Sequence, residues 1–451
     1  MDNIEGFPYF PVEFAKDGSP AQPDPTDALL AGLKAQPATD LIVLSHGWNN
    51  DMAEARDLYQ RFLGFVRPLL DDPQNPLGLA GRSFAVMGVL WPSKKFADAE
   101  LIPSGAASFE SPITNPMLVA ELERLKGTFD APDADAKLTR AQVLVPQLDS
   151  EPAQNEFAQL MKEILPPTPP TPGLESATDF MAMDGTDLFA TLSVPPPATD
   201  LQLPDDGSLN GSISTTPLPD VDHAAGIGSS LFGGIKAAAM NVLNLTTYYQ
   251  MKDRAGTVGQ GGVNAVLRRV RQELPAVRLH LVGHSFGCRL LSAAVAGADA
   301  GHSVKVDSVL LLQGAFSHYG FSGSYDDGGH AGFFRRLVGD KLVAGPIVVS
   351  HTRNDSAVGS MYPLASRLAG QVGQGLGDAN DKFGGLGSNG AQKTTEATNG
   401  LLEDVGFAYA FGPGQIANLK ADTYISGHSD ICHPQTAYAF LKAVATASVD
   451  H

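Results

Sequence analysis

The sequence predicts an α/β fold: a mostly parallel β-sheet covered by helices on both faces, interrupted by one large insertion. Short apolar runs at residues 41–45 (LIVLS), 84–91 (FAVMGVLW), 279–282, 309–312 and 347–349 have the length and β-branched content of buried strands. Helix-length stretches separate them, and strands that alternate with helical patterns build parallel sheets. The 451 residues are 43% hydrophobic and 18% charged, which supplies one large core plus insertions and excludes a disordered or fibrous chain.

After the first run, Leu58, Phe62, Phe65 and Leu69 recur at near-helical spacing and predict a helix with one apolar side laid on the sheet. Val263, Leu267, Val270 and Leu274 form a second stripe just before the run at 279–282. Residues 421–426 read as a last strand and 436–446 as the closing helix. Between residues 94 and 249 the pattern breaks. There Asn115-Pro116 reads as an N-cap with proline at the first helical position, and Phe157, Leu160, Met161 and Ile164 form an amphipathic stripe. Residues 166–220 are dense in Pro, Thr, Ser, Asp and Gly, a composition that buries too little to offset ordering entropy, so a mobile, loop-rich stretch is expected. Residues 370–400, rich in Gly and Asn, read as a second flexible insertion. The domain reading is therefore 1–37 as an N-terminal segment, 38–95 and 245–451 as the α/β domain, and 96–244 as a helical and Pro-rich insertion that could form a lid.

The formal net charge is −18 with no basic cluster, which argues against nucleic acid and anionic membranes as partners. The opening residues MDNIEGFPYFPVEF lack a basic stretch followed by an apolar core, so a cytoplasmic location is the default expectation, with signal-independent export as the alternative. Residues 224–245 are apolar, but Lys236, Asn241 and Asn244 interrupt them. A lid or pocket-lining helix is expected there, not a membrane span, although contact with a membrane stays compatible. The two cysteines, Cys288 and Cys432, lack zinc-site spacing and are read as buried thiols. Because they flank the two central functional candidates, they are expected to lie near each other, with a disulfide the less favoured arrangement.

The strongest motif is Gly283-His284-Ser285-Phe286-Gly287, set between the run at 279–282 and an Ala/Leu-rich helical stretch at 288–298. A G-x-S-x-G between strand and helix makes a turn so tight that the serine backbone is strained and its oxygen stands clear of the sheet, at a helix N-terminus. The plainer reading is a glycine-rich turn with a structural serine. The first strand ends in Ser45-His46-Gly47-Trp48-Asn49-Asn50, where backbone amides can receive the negative charge of an acyl-transfer intermediate. The amides of Trp48 and Phe286 are the candidates, and a simple chain turn is the alternative for His46-Gly47.

Serine needs a histidine to take its proton and a carboxylate to orient that histidine. After the run at 347–349 comes His351-Thr352-Arg353-Asn354-Asp355, and near the end Gly427-His428-Ser429-Asp430. Asp355 is the expected acid, with a turn carboxylate as its alternative. His428 is the expected base, and His433 its competitor. Asp430 reads as a loop or capping residue, and His284 as a residue that shapes the turn or pocket. His351, just before the acid, fits the base poorly, while His223, His280, His318 and His451 read as structural or exposed.

Taken together, these motifs, with Trp91-Pro92-Ser93 after the second strand and the stretch 248–256 (YYQMKDRAG), resemble a poorly characterised esterase/lipase-like group of bacterial α/β-hydrolases. The resemblance covers roughly residues 38–95 and 245–445 and implies a triad of Ser285, Asp355 and His428. The Pro-rich insertion departs from the compact pattern of that group. The expectation is a carboxylic ester hydrolase acting on a small-molecule or lipid ester through an acyl-enzyme, with no metal or organic cofactor. A phospholipase and a non-catalytic binding protein on the same fold are the alternatives.

Overall fold

The computed structural model describes residues 2–21, 23–48, 50–73, 77–93, 113–167, 177–193, 234–355 and 384–447. A nine-stranded sheet runs through it. Its strands are β1 (Asp2–Ile4), β2 (Phe7–Glu13), β3 (Asp40–Ser45), β4 (Phe84–Leu90), β5 (Arg278–His284), β6 (Ser308–Leu312), β7 (Ile347–His351), β8 (Ala397–Leu401) and β9 (Ile416–Lys420). The spatial order is β1-β2-β4-β3-β5-β6-β7-β9-β8, parallel throughout except for the β1–β2 hairpin.

Side chains alternate across the central strands with the period of two that a pleated strand imposes. Leu41, Val43, Leu279, Leu281, Val309, Leu311, Ile347 and Val349 enter one core, and Ile42, Leu44, Val282, Leu310, Leu312 and Val348 enter the other. Helices α1 (Pro25–Ala35) and α2 (Met52–Asp71) cover opposite faces. Asp51 and Glu54 form a reciprocal capping box that starts α2 directly after the His46-Gly47-Trp48 loop. Leu58, Phe62 and Leu69 of α2 are buried as the stripe predicts, whereas Phe65 is exposed beside Arg61, Ser429 and Cys432.

The insertion has its own core. Helices α3 (Asn115–Arg124), α4 (Ala134–Leu144), α5 (Glu151–Glu163), α6 (Thr178–Ala182) and α7 (Gly185–Leu192) close around Leu122, Leu138, Phe157, Phe180 and Phe189. The first half of α8 (Ile235–Thr257) completes this cap, and its second half, from Met251 to Ala255, packs in the sheet core. Continuing α8, a six-residue π-helical turn (Val258–Val263) leads into α9 (Asn264–Glu273). Helices α10 (Phe286–Ala296) and α11 (Pro434–Thr446) complete the layers. Fully buried Arg254 of α8 fastens the cap to the sheet: one Nη donates to Pro92 O just after β4 (3.0 Å), the other to Asp130 Oδ1 in the cap (2.7 Å).

Several expectations need correction. The first 37 residues, set apart above as an N-terminal segment, belong to the sheet and its core: β1 and β2 extend the sheet and α1 buries Leu29, Leu30 and Leu33. Prolines at 8 and 11 hide β2 from a strand pattern, and Pro11 lies beyond the register shared with β1, with a neighbour on one side only. A boundary at 244/245 cuts the continuous helix α8. The N-cap of α3 is Thr114, whose Oγ1 accepts from Met117 N, not Asn115. Within 166–220, residues 177–193 form α6 and α7 because Phe180, Leu188, Phe189 and Leu192 supply buried anchors; residues 168–176 and 194–220 lie outside the described residues. Within 370–400, the turn Leu386–Asn389 and strand β8 are ordered elements, and residues 370–383 lie outside the described residues. The last strand is Ile416–Lys420, not 421–426. Ala421 N makes a final bond to His351 O, and Tyr424 N and Ile425 N then turn back onto Ala421 O. Of 224–245, the described part belongs to α8 in the cap core, and among the described residues no helix is long and apolar enough to cross a membrane.

The cysteines are also apart. Cys288 is buried in the core that holds α10, with Sγ against Gly283 O, while half-buried Cys432 packs against the opposite core, near Leu58 O. Both are free thiols separated by the sheet.

At the sheet edge opposite the carboxyl ends of the strands, fully buried Asp40 accepts from Arg82 Nε (2.9 Å) and Thr39 Oγ1 (2.6 Å), and meets His280 Nε2 at 2.9 Å. Burial pushes the Asp40 carboxyl up, but Arg82 and His280 outweigh it and hold the group well below the usual carboxylate range. Removing one member leaves buried charge without its partner. Asp40→Ala is therefore expected to lower unfolding free energy by about 3 to 5 kcal/mol, seen as a lower urea midpoint at unchanged slope. An unmoved midpoint would contradict this account.

Candidate active site

The site is built at the carboxyl ends of the central strands, starting from β5. This strand runs without a break into Ser285, whose backbone sits at φ 55 and ψ −123, and the chain then enters α10 at once. A left-handed conformation is costly for a non-glycine residue, so its surroundings must hold it. Ser285 N donates to Leu312 O, and Ser285 O accepts from Cys288 N and Ala315 N. The flanking glycines are required by contact: a Cβ on Gly283 would fall 2.7 Å from Cys288 N, and one on Gly287 would fall 2.2 Å from Ser45 O.

The other two candidates converge on this turn. His428 Nε2 lies 2.8 Å from Ser285 Oγ, and His428 Nδ1 lies 2.8 Å from Asp355 Oδ2, across 143 and 73 residues of chain. Asp355 is buried and His428 half-buried. A carboxylate accepts, so Nδ1 carries the hydrogen and Nε2 is left to receive the serine proton.

Two residues without an assigned role stitch the acid loop to the base loop. Asn354 Nδ2 donates to Asp422 O (3.1 Å) and Ile425 O (2.9 Å), and Thr352 Oγ1 donates to Asp422 Oδ1 (2.8 Å). Asp430 closes the base loop by accepting from Ser426 N (2.9 Å) and Ser426 Oγ (2.6 Å), a loop-capping position. His433 caps α11 and pairs with Asp430, away from the serine. His351 ends β7, with Nδ1 near Ser388 O. His280 belongs to the Asp40 network and His318 is buried beside Asn389, while His223 and His451 lie outside the described residues.

The loop after β3 rests directly on the nucleophile. A Cβ on Gly47 would stand 2.7 Å from Ser285 Cβ and 3.2 Å from its Oγ, so only glycine lets the backbone pass here. Phe286 is the first residue of α10 and its amide has no acceptor within the helix. The Trp48 and Phe286 side chains pack on each other, with ring centroids 6.2 Å apart. From Phe286 a chain of aromatic contacts continues through Tyr248 (5.4 Å) and Tyr249 (5.5 Å) to Phe180 (5.7 Å) in the cap core.

His46 explains the conspicuous Trp91-Pro92-Ser93. Its ring stacks on Trp91 at 5.6 Å, its Nε2 accepts from Trp91 N, its carbonyl accepts from Trp91 Nε1, and its Nδ1 donates to Gly47 O. Its own amide donates to Tyr59 Oη, whose hydroxyl donates to Val89 O (2.6 Å). The ring is thus a strut for the Gly47-Trp48 backbone. Sequence alone marks His46 only as part of a motif, because its partners lie just after β4 and on α2.

Burial pushes the His46 imidazole down to about 4, and burial together with the charge of nearby His428 pushes His284 down to about 3. Both rings are neutral in the folded protein, whereas in the unfolded chain each takes a proton near its ordinary value of 6.5. Below that value the unfolded state binds more protons, so stability is lost as pH falls and is unaffected above it. Between about pH 7 and about pH 5 the two rings should together remove about 4 kcal/mol of unfolding free energy. Glu121, whose carboxyl burial pushes up to about 7, acts in the opposite sense over this window, so denaturant titrations of a Glu121→Gln protein at the two pH values test this, and equal midpoints there would refute it.

Comparison with protein-family models, with curated proteins and with solved structures gives no match for this chain, so its reading rests on the geometry above.

Proposed function

We propose that the protein is a serine hydrolase of the α/β-hydrolase fold that cleaves carboxylic esters through an acyl-enzyme. The single observation that carries the reading is the relay from Ser285 Oγ to His428 Nε2 and from His428 Nδ1 to Asp355 Oδ2, both at 2.8 Å, on a strained strand-to-helix serine. In the first half-reaction His428 takes the Ser285 proton as the oxygen attacks the ester carbonyl, and the carbonyl π electrons move to its oxygen. The Trp48 and Phe286 amides receive that charge. When the tetrahedral species collapses, the acyl–oxygen bond breaks and His428 returns the proton to the leaving alcohol. Water, deprotonated by the same imidazole, then releases the acid and restores Ser285.

Residues that act as one unit give non-additive losses. Ser285→Ala and His428→Ala should each lower kcat on nitrophenyl esters by at least about 10⁴-fold, and the double variant should fall no further. Ser285→Ala should also abolish fluorophosphonate labelling. Wild-type turnover by Ser285→Ala would end the proposal, and unlabelled wild-type protein would favour a non-catalytic binding role.

The half-buried ring of Trp48, at the head of a run of rings that reaches Phe180, favours an ester with an apolar acyl group, within the lipase-like range of the same chemistry. Each methylene buried there is worth about 0.8 kcal/mol. On a panel of graded esters kcat/KM should rise with acyl length, and Trp48→Ala, which keeps the backbone amide, should reduce it more for long chains than for short ones. Equal losses at every length would rule out an acyl subsite on this wall.

A further inference from the structure

The residue before the nucleophile is unusual in its surroundings. His284 is buried, and its Nε2 lies 2.8 Å from the main-chain oxygen of His428. A carbonyl oxygen only accepts, so Nε2 carries the hydrogen and Nδ1 is a bare lone pair. Among the described residues Nδ1 has no hydrogen-bond partner, and it faces Gly47, where a Cβ would approach it to 3.2 Å. The two imidazoles are 4.9 Å apart between centroids and tilted by 43°.

Beyond the two side-chain hydrogen bonds of His428 itself, the loop that carries the base has few bonds at its middle. Asp430 ties its ends together, Asn354 anchors Ile425 O, and Gly427 has open space where a side chain would stand. Among the described hydrogen bonds, the one from His284 is the only link between the body of the sheet and the His428 main chain.

We propose that His284 is a positioning residue, whose Nε2–H holds the His428 carbonyl so that the base is set in register with the nucleophile by the strand that carries Ser285. This rests on the serine-hydrolase reading. Because His284 and Ser285 are neighbours in the chain, any movement of the elbow moves both the attacking oxygen and the anchor of the base. The Nε2 to Oγ separation is thereby kept within the narrow range that proton transfer needs. Neutrality of the ring serves the same end: when His428 becomes a cation in the transition state, an uncharged neighbour adds no repulsion. His284 itself touches neither the reacting atoms nor the transferred proton.

Two variants separate this role from simple packing. His284→Phe fills the space without a donor, whereas His284→Gln supplies an amide N–H of similar reach. Expected for Phe is a fall in kcat of about 10- to 100-fold with KM within about 3-fold, a matching fall in the rate of fluorophosphonate labelling, and a melting temperature within a few degrees of wild type. For Gln, kcat should return to within a few-fold of wild type. Equal kcat in Phe and wild type, or equal impairment of folded Phe and Gln, would overturn the proposal. Nitrogen NMR of histidine-labelled protein gives a readout independent of turnover. The Nε2-protonated tautomer of His284 is expected at neutral pH, and the Nδ1-protonated form would overturn the proposal even in an active enzyme. Unlabelled wild-type protein marks failure of the hydrolase reading itself, while labelled wild type with an unaffected Phe variant marks failure of this step alone.

Discussion

The close approach of three glycines to the ends of two strands is the contact on which the site depends. Gly287 lies against the carbonyl of Ser45, Gly283 against the first turn of α10, and Gly47 against Cβ of Ser285. Each contact is too tight for a methyl group, so together they fix the loop after β3 and the loop after β5 as one unit. Ser285 is locked between them in a backbone conformation that a free chain would rarely adopt. The strain is offset by the hydrogen bonds that Ser285 shares with Leu312, Ala315 and Cys288, and by the buried strands on either side. The loop that carries the Trp48 amide and the turn that carries Ser285 are consequently held as one rigid arrangement, which is what electrostatic stabilisation of a transition state would require under the proposed mechanism.

Three imidazoles crowd this sheet edge, and their surroundings divide the labour between them. His46 and His284 are wholly buried, stay neutral, and spend their N–H groups on main-chain carbonyls. Of the three, His428 is the one that has a carboxylate against its ring. Proton transfer needs a ring whose second nitrogen is supported by a charge that stabilises the imidazolium, and Asp355 supplies that support to His428. In the proposed mechanism the same residue type thus serves as strut, anchor and base, with burial and partner deciding which.

Much of this was legible because the central strands are buried on both faces and flanked by glycine or polar turns, so runs such as LIVLS and FAVMGVLW stand out. The G-H-S-F-G turn and the order of Ser285, Asp355 and His428 were legible for the same reason: each follows a strand or precedes a helix of clear pattern. What escaped were elements whose stability is tertiary. Strand β8 is Ala-Thr-Asn-Gly-Leu, largely exposed, and exists because β9 offers it a ladder. The last strand was misplaced because Ala421, Tyr424 and Ile425 look β-like, while Asp422 is committed to Thr352, Arg353 and Lys420 and turns the chain there. The cysteines illustrate the limit of chain proximity, since residues near the two candidates fell on opposite faces of the sheet.

The cap follows from the same tertiary logic, and it constrains the surroundings of the site. Helix α8 is continuous from Ile235 to Thr257, with its first half in the cap core and its second half in the sheet core. Swinging the cap away as a body would have to break helical hydrogen bonds within α8 or expose apolar surface on one side of it. It would also strip Arg254, buried with its guanidinium shared between Pro92 and Asp130, of a partner. Both costs fall on buried groups, so the described part of the cap acts as a fixed wall. The half-buried rings on that wall are Trp48 and Tyr249, each packed against both cores. Under the proposed ester hydrolysis, selectivity for the acyl group would be a property of this seam, where two half-buried aromatic side chains stand against a backbone held by Gly47 and by α8.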